Sequence, residues 1–296
     1  MTGDKGFIGS NMEKSLCGKD AEIVGYSRRS GFDVLNINQL RRIAKSCDVV
    51  YHFAAEAKPG ESVLNPVRTI EVNLKGSLNV LEVCRDLGIP LVYPSSCEIY
   101  GDSAVPIRED FPLNPTNPYA ASKAAVDRFC YMYHRCYGVD VKIVRLFNPY
   151  GPNQQLNKIM PTFYFKAARN EPITVYGDGT DTRDYVYVRD IVEGLWCAGK
   201  LPAGEAANLA TGKATTNLEV AKLVKELAES DSEIIFVDYP EAFGGIRHQV
   251  GSYERAKRLI GWEPRTALRD GVRETINWLK QITLEECDER RRSSSP

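Results

Sequence analysis

Two residues four apart, Tyr119 and Lys123, carry the chemistry most readily read from this chain. They stand in Asn117-Pro118-Tyr119-Ala120-Ala121-Ser122-Lys123, where Pro118 suits a helix start and the spacing puts both polar ends on one helical face. A free phenol loses its proton at about pH 10, and a neighbouring ammonium favours the phenolate. The pair is therefore expected to take a proton from an alcohol near neutrality, the acid/base half of a hydride transfer. Such pairs also arise by chance on solvated helices, so the spacing alone does not decide the matter.

A second constellation opens the chain: Thr2-Gly3-Asp4-Lys5-Gly6-Phe7-Ile8-Gly9, followed by a helix-compatible run from Ser10 to Leu16. Glycine at every third position permits a tight turn, close approach of backbone to a pyrophosphate, and close helix-to-sheet packing. The helix N-terminus behind it would face the negative charge.

Elements able to position both sets can be read as an alternation. Glu22 to Tyr26, Asp48 to Phe53, Leu91 to Pro94 and Asp140 to Leu146 are apolar runs of strand length. Helical stretches fall at Gln39 to Ser46, Val67 to Leu87, Tyr119 to Tyr137 and Met160 to Arg169, with later ones at Leu218 to Ala228 and Leu268 to Gln281. This predicts an α/β fold with a doubly wound parallel sheet. Residues 1–150 are expected to form a dinucleotide-binding domain. After about Gly151 the pattern changes to shorter elements. The arginine- and serine-rich stretch 287–296 reads as a disordered tail.

With 296 residues, 43% hydrophobic content and a net charge of −1, the chain can bury one large core or two unequal ones. Near-neutral charge gives no electrostatic case for nucleic acid or membrane partners. No apolar run is long enough to span a bilayer and no signal-peptide pattern opens the chain, so a cytoplasmic location is expected. The eight cysteines lack Cys-x-x-Cys clusters and supporting histidines, which argues against zinc and against a secreted disulfide framework.

The chain closely resembles the extended short-chain dehydrogenase/reductase family, specifically its nucleotide-sugar epimerases, dehydratases and decarboxylases. The matching pieces are Thr2-Gly3 to Gly9, His52-Phe53-Ala54-Ala55, Asn73-Leu74-Lys75-Gly76-Ser77, and Ser95-Ser96-Cys97-Glu98-Ile99-Tyr100-Gly101. They continue through Tyr119 and Lys123, Arg145 to Pro152, Val175 to Gly179, Arg183 to Val188, and Gly261 to Pro264. One departure is structural. Family members carry a short apolar strand before Thr-Gly, whereas only Met1 stands here; a truncated sequence, with a gap left in the core, is the expectation.

The resemblance implies a Rossmann fold binding NAD or NADP through Gly3, Gly6, Phe7, Ile8, Gly9, Ser27, Arg28, Asp33, Val34, Ala54, Ala55, Asn73, Tyr119 and Lys123. It also implies that residues 151–286 form mainly a substrate-binding lobe, with some chain returning to the sheet. An acidic residue after the second strand usually marks NAD; here that stretch reads Ser27-Arg28-Arg29. A guanidinium can pair with the extra phosphate, so the reading leans to NADP. The alternative is that Arg28 and Arg29 are solvated loop charges.

For catalysis, the resemblance makes Tyr119 the base that oxidises carbon 4 of a nucleotide sugar. Lys123 binds the nicotinamide ribose and lowers the tyrosine pKa, and Ser96 bonds to the same oxygen. Glu98 then matches the base that removes the carbon 5 proton in 4,6-dehydratases. Cys97 stands where they carry an aspartate acid, and the Cys-Glu pair resembles that of the 5,6-dehydratase of tunicamycin biosynthesis. For the substrate, Arg183 matches a diphosphate clamp and Asn148 a substrate-contacting asparagine. A second family arginine is missing from Ala242-Phe243-Gly244-Gly245, with Arg247 as a substitute. The leading expectation is a dehydratase working through a 4-keto intermediate. Its rivals are a 4-epimerase needing only Ser96, Tyr119 and Lys123, and a catalytically inactive cofactor-binding regulatory protein. Family members commonly pair through two helices each, so a homodimer is expected through Val67 to Leu87 and Tyr119 to Tyr137.

Overall fold

The computed structural model describes residues 1–17, 20–239, 246–284 and 286–287. Among them, a parallel sheet runs Val50–Tyr51, Leu91–Ser96, Val141–Leu146, Ala206–Leu209 in spatial order. Side chains of a strand alternate between its two faces, and here both faces are buried. Leu91, Tyr93, Val141 and Ile143 join one apolar cluster, while Val92, Val144 and Leu146 join another. Near-continuous apolar strands covered on both sides are the pattern of a parallel α/β sheet.

The helix Pro118–Tyr137 packs against the two central strands. Asn117 begins it in an extended conformation, its side chain accepting from the Ala120 N–H, and Pro118 occupies the first turn. Gly138 ends it at φ 70°, a left-handed conformation that glycine takes without steric cost. Buried Ser122, Lys123, Val126, Asp127 and Cys130 form its inward face.

Several expected elements come out differently. The stretch Glu22 to Tyr26 is reduced to a bridge at Tyr26, because its partner alongside is only the short segment Met1–Gly3. Thr2 bridges Tyr26 on one side and His52 on the other. Its N–H donates to the Tyr51 carbonyl at 2.9 Å, and its own carbonyl accepts from Phe53 N–H at 3.0 Å. Asp48 to Phe53 shortens to Val50–Tyr51. The long helix expected from Val67 is divided into Pro66–Ile70 and Gly76–Leu87 by a wider π-helical turn at Glu71–Lys75. Such turns concentrate at functional sites, and this one buries Asn73. Residues 288–296 of the expected tail lie outside the described residues. Cys287, the first residue assigned to it, is buried, with its N–H donating to the Thr283 carbonyl at 2.9 Å.

Beyond residue 150 the elements are short. Ile173–Tyr176 pairs in parallel with Ile234–Val237. Thr182–Arg183 lies between His248–Gln249, in parallel, and Thr215–Thr216, antiparallel. No helix of the described residues is long and apolar enough to cross a membrane.

Candidate functional site

A cavity of about 790 Å³ joins the glycine loop to the ends of the central strands. Gly3, Gly6, Phe7, Ile8 and Gly9 line one end, and Ser96, Cys97, Glu98, Tyr119 and Lys123 line the middle. Asn148, Lys158, Arg183, Tyr185 and Asn217 lie on the side of the shorter elements. Glycine is dictated at two loop positions. A Cβ on Gly3, at φ 68°, would stand 2.7 Å from the Ala54 nitrogen, and one on Gly9 would stand 2.4 Å from the Gly3 oxygen. The turn is thus compressed to bare backbone where a pyrophosphate would approach, and the residues present fit a dinucleotide.

The strand Leu91–Ser96 delivers Ser96 to its end, and a tight turn at Cys97–Tyr100 follows. The Ser96 hydroxyl caps that turn by accepting from the Glu98 N–H at 3.2 Å. Glu98 is partly buried, and its Oε2 accepts from Asn117 Nδ2 at 3.0 Å. Burial raises its pKa; the Asn117 bond and the charges of Lys158 and Arg183 oppose that rise.

Lys123 is 6% exposed. Its ammonium donates to the Pro94 carbonyl at 2.5 Å and lies 4.3 Å from the Tyr93 ring centre. Burial lowers its pKa to about 7. Tyr119 departs from expectation: burial, followed by the charge of Glu98, pushes its phenol well above 10, while Ser96 draws it back. The lowering expected of Lys123 does not prevent this rise; the lysine is itself desolvated and turned to a backbone carbonyl. Behind it, Asp127 accepts two bonds from the Arg145 guanidinium, each 2.9 Å, and Arg145 also donates to the Tyr100 hydroxyl at 2.7 Å. Burial would raise the Asp127 pKa, but Arg145 outweighs it and holds the carboxyl low.

Cys97 is buried and its thiol is engaged on both sides. Sγ donates to Gln249 Oε1 at 3.1 Å, and the Asn148 backbone also bonds to it. Burial pushes the thiol pKa up to about 12.

The remaining expected residues divide clearly. Ala55 lines the cavity. Asn73 does not; its side chain instead donates to the Glu56 carbonyl and to Ser122 Oγ, and accepts from the Glu56 N–H. Val34 packs on Gly76, Asp33 accepts from the Leu35 N–H, and Ala54 donates to Thr2 Oγ1, all outside the cavity lining. Arg28, on the exposed turn after Ser27, pairs with Glu56 at 2.9 Å. Arg183 reaches the cavity, held by the carbonyls of Thr182, Ile246 and Arg247. Arg247 does not line the cavity: its side chain is exposed, and its backbone serves as an acceptor for Arg183. The stretch Ala242 to Gly245 lies outside the described residues.

Among residues the sequence reading did not assign to the site, Lys158 lines the cavity, while Asn117 bonds to Glu98 and Gln249 to Cys97. Asn117 had a local signal, a cap residue directly before a proline that starts a helix. Lys158 and Gln249 reach the site only through tertiary packing.

The family profile of the NAD dependent epimerase/dehydratase family matches residues 1–210. A UDP-glucuronic acid decarboxylase of Danio rerio is 31% identical over 303 residues, covering 95% of this chain and 72% of that protein. Among solved structures, the UDP-glucose 4-epimerase of Thermotoga maritima with UDP-glucose superposes with a TM-score of 0.90 at 28% identity, covering 95% of this chain and 97% of that one. A dTDP-glucose 4,6-dehydratase of Streptomyces venezuelae with NAD bound gives a TM-score of 0.88 at 28% identity, covering 95% and 96%.

Proposed function

The chain belongs to the NAD dependent epimerase/dehydratase family, and from that premise we propose that it oxidises carbon 4 of a nucleotide-diphosphate sugar and then eliminates at carbons 5 and 6. The observation that carries the reading is the convergence of Ser96, Glu98, Tyr119 and Lys123 on a cavity continuous with the glycine loop. The bound dinucleotide would accept the hydride from carbon 4. In its phenolate form, disfavoured by burial and favoured by the Ser96 bond, Tyr119 receives the hydroxyl proton, and Lys123 holds the nicotinamide ribose. Once carbon 4 is a ketone, the carbon 5 proton is acidic and Glu98 is placed to take it. Asn148, whose buried Nδ2 has no hydrogen-bond partner among the described residues, is a substrate contact and Arg183 the diphosphate contact.

In this reading Cys97 is the candidate acid for the departing carbon 6 hydroxyl, and it is a weak one, since its proton is directed at Gln249. A second reading is favoured by that same bond together with Lys158. Decarboxylation of a uronic acid breaks the bond between carbons 5 and 6, moves its electron pair into the 4-ketone and needs no acid at a leaving hydroxyl. The Lys158 ammonium, lining the cavity within the influence of Glu98, suits a substrate carboxylate, and the Danio rerio relative is a UDP-glucuronic acid decarboxylase.

Incubation with UDP-glucose, UDP-glucuronate and dTDP-glucose, followed by mass spectrometry, separates these outcomes. Loss of water marks the dehydratase, loss of carbon dioxide the decarboxylase and an equal-mass isomer the epimerase. No product from any sugar would count against all three.

The dinucleotide reading leans to NADP. Ser27 stands where an acid would mark NAD, Arg28 and Arg29 follow it, and an extra phosphate could displace Glu56 from Arg28. Fluorescence titration with both dinucleotides tests it, and tighter NAD binding overturns it. The homodimer reading draws on exposed Leu64, Val67, Ile70 and Tyr131 around the helices 66–87 and 118–137.

A further inference from the structure

We propose that Asn117 is a positioning residue that fixes the base Glu98 to the start of the catalytic helix, an inference that rests on the role given to Glu98 above. One side-chain amide serves two segments. Its oxygen accepts from the Ala120 N–H at 2.8 Å, capping the helix that carries Tyr119 and Lys123. Its nitrogen donates to Glu98 Oε2 at 3.0 Å, on the turn that follows the central strand.

The chemistry selects this side chain narrowly. An N-cap needs an acceptor, which Asn, Asp, Ser and Thr all supply. A carboxylate needs a donor, which of these only Asn offers with a second atom fixed opposite the first. Pro118 keeps the preceding residue out of the helical conformation, and Asn117 lies at φ −144° and ψ 164°. The amide therefore points from a backbone already set. Glu98 lines the cavity, and with Oε2 engaged its other oxygen is left to receive the carbon 5 proton while that bond's electron pair passes into the 4-ketone.

The groups acting on Glu98 are the Asn117 amide, the Lys158 and Arg183 cations, the Tyr119 phenol and the Cys97 thiol. Of these, Asn117 alone makes a direct hydrogen bond to the carboxylate among the described residues. Donation to a carboxylate stabilises its ionised form, so loss of the amide makes Glu98 harder to ionise.

The test uses Asn117→Ser, which keeps the cap and loses the reach, and Asn117→Asp, which keeps the cap and sets carboxylate against carboxylate. Glu98→Gln is the control. For each, the thermal midpoint, the transient reduction of bound nicotinamide and the pH profile of product formation are measured with the three nucleotide sugars named above. Asn117→Ser is expected to keep its midpoint and its nicotinamide reduction. Its product formation should fall on the order of tenfold at neutral pH, with the acidic limb moved to higher pH, and Asn117→Asp should move that limb further. If both variants keep the wild-type limb and turnover while Glu98→Gln makes no product, the coupling is wrong and the base stands. If Glu98→Gln turns over normally, the reading of the base fails and takes the coupling with it.

Discussion

Cys97 and Gln249 are joined across 152 positions of sequence by a single bond, thiol Sγ to amide Oε1 at 3.1 Å. Gln249 is 1% exposed, and its Nε2 has no partner among the described residues. A buried amide with one end already unmet depends heavily on its other end.

Cys97→Ala is therefore expected to destabilise the protein by about 1–3 kcal/mol, the cost of leaving a buried polar group unsatisfied. Cys97→Ser, which restores a donor, should recover part of the loss. Urea denaturation of the two variants checks this. With its pKa near 12, Cys97 should also resist a thiol reagent that modifies exposed Cys17 and Cys136 at pH 8.

Glu98→Gln should abolish product formation while nicotinamide reduction remains visible in a single turnover. Stability should move the other way. Burial raises the Glu98 pKa, so the folded state holds that proton more tightly than the unfolded one, and its contribution is lost as pH rises through the folded pKa. At neutral pH an uncharged isostere removes the cost of a buried charge, and the thermal midpoint should rise.

Lys123 gives the opposite pH dependence. Its folded pKa of about 7 lies below the unfolded value of about 10.4, so between these the unfolded chain binds more protons. Stability relative to Lys123→Met should grow by a few kcal/mol as pH rises from 7 toward 10. Denaturation of both proteins across that range measures it; parallel curves would refute the buried, desolvated lysine.

Val67 is 78% exposed and Leu64 70% exposed. If these faces meet a second copy, Val67→Glu should convert dimer to monomer in sedimentation without loss of helical signal. A wild-type chain that already sediments as a monomer would remove the dimer reading.

Much of this arrangement was legible because it is local. The glycine spacing, Pro118 before a helix, and Ser96 with Glu98 at a strand end each lie within a few residues, where spacing dictates geometry. What stayed hidden depends on distant partners. Glu22 to Tyr26 has the composition of a strand, but a ladder also needs a neighbour of equal length, and Met1–Gly3 supplies bonds only at its end. Arg247 has the charge of a phosphate ligand, yet its side chain is exposed outside the cavity lining and its carbonyl accepts from Arg183. The Tyr119 phenol was read from its spacing to Lys123, but desolvation and the charge of Glu98 set its acidity.

The register of the two-residue strand His248–Gln249 aligns Gln249 with Arg183. If Arg183 grips the diphosphate as proposed, one short strand lies beside that grip and itself carries Gln249, the partner of Cys97. Free sugars lacking the nucleotide should accordingly suffer in maximal rate as well as in affinity, since binding energy remote from the reacting carbons sets the alignment at them.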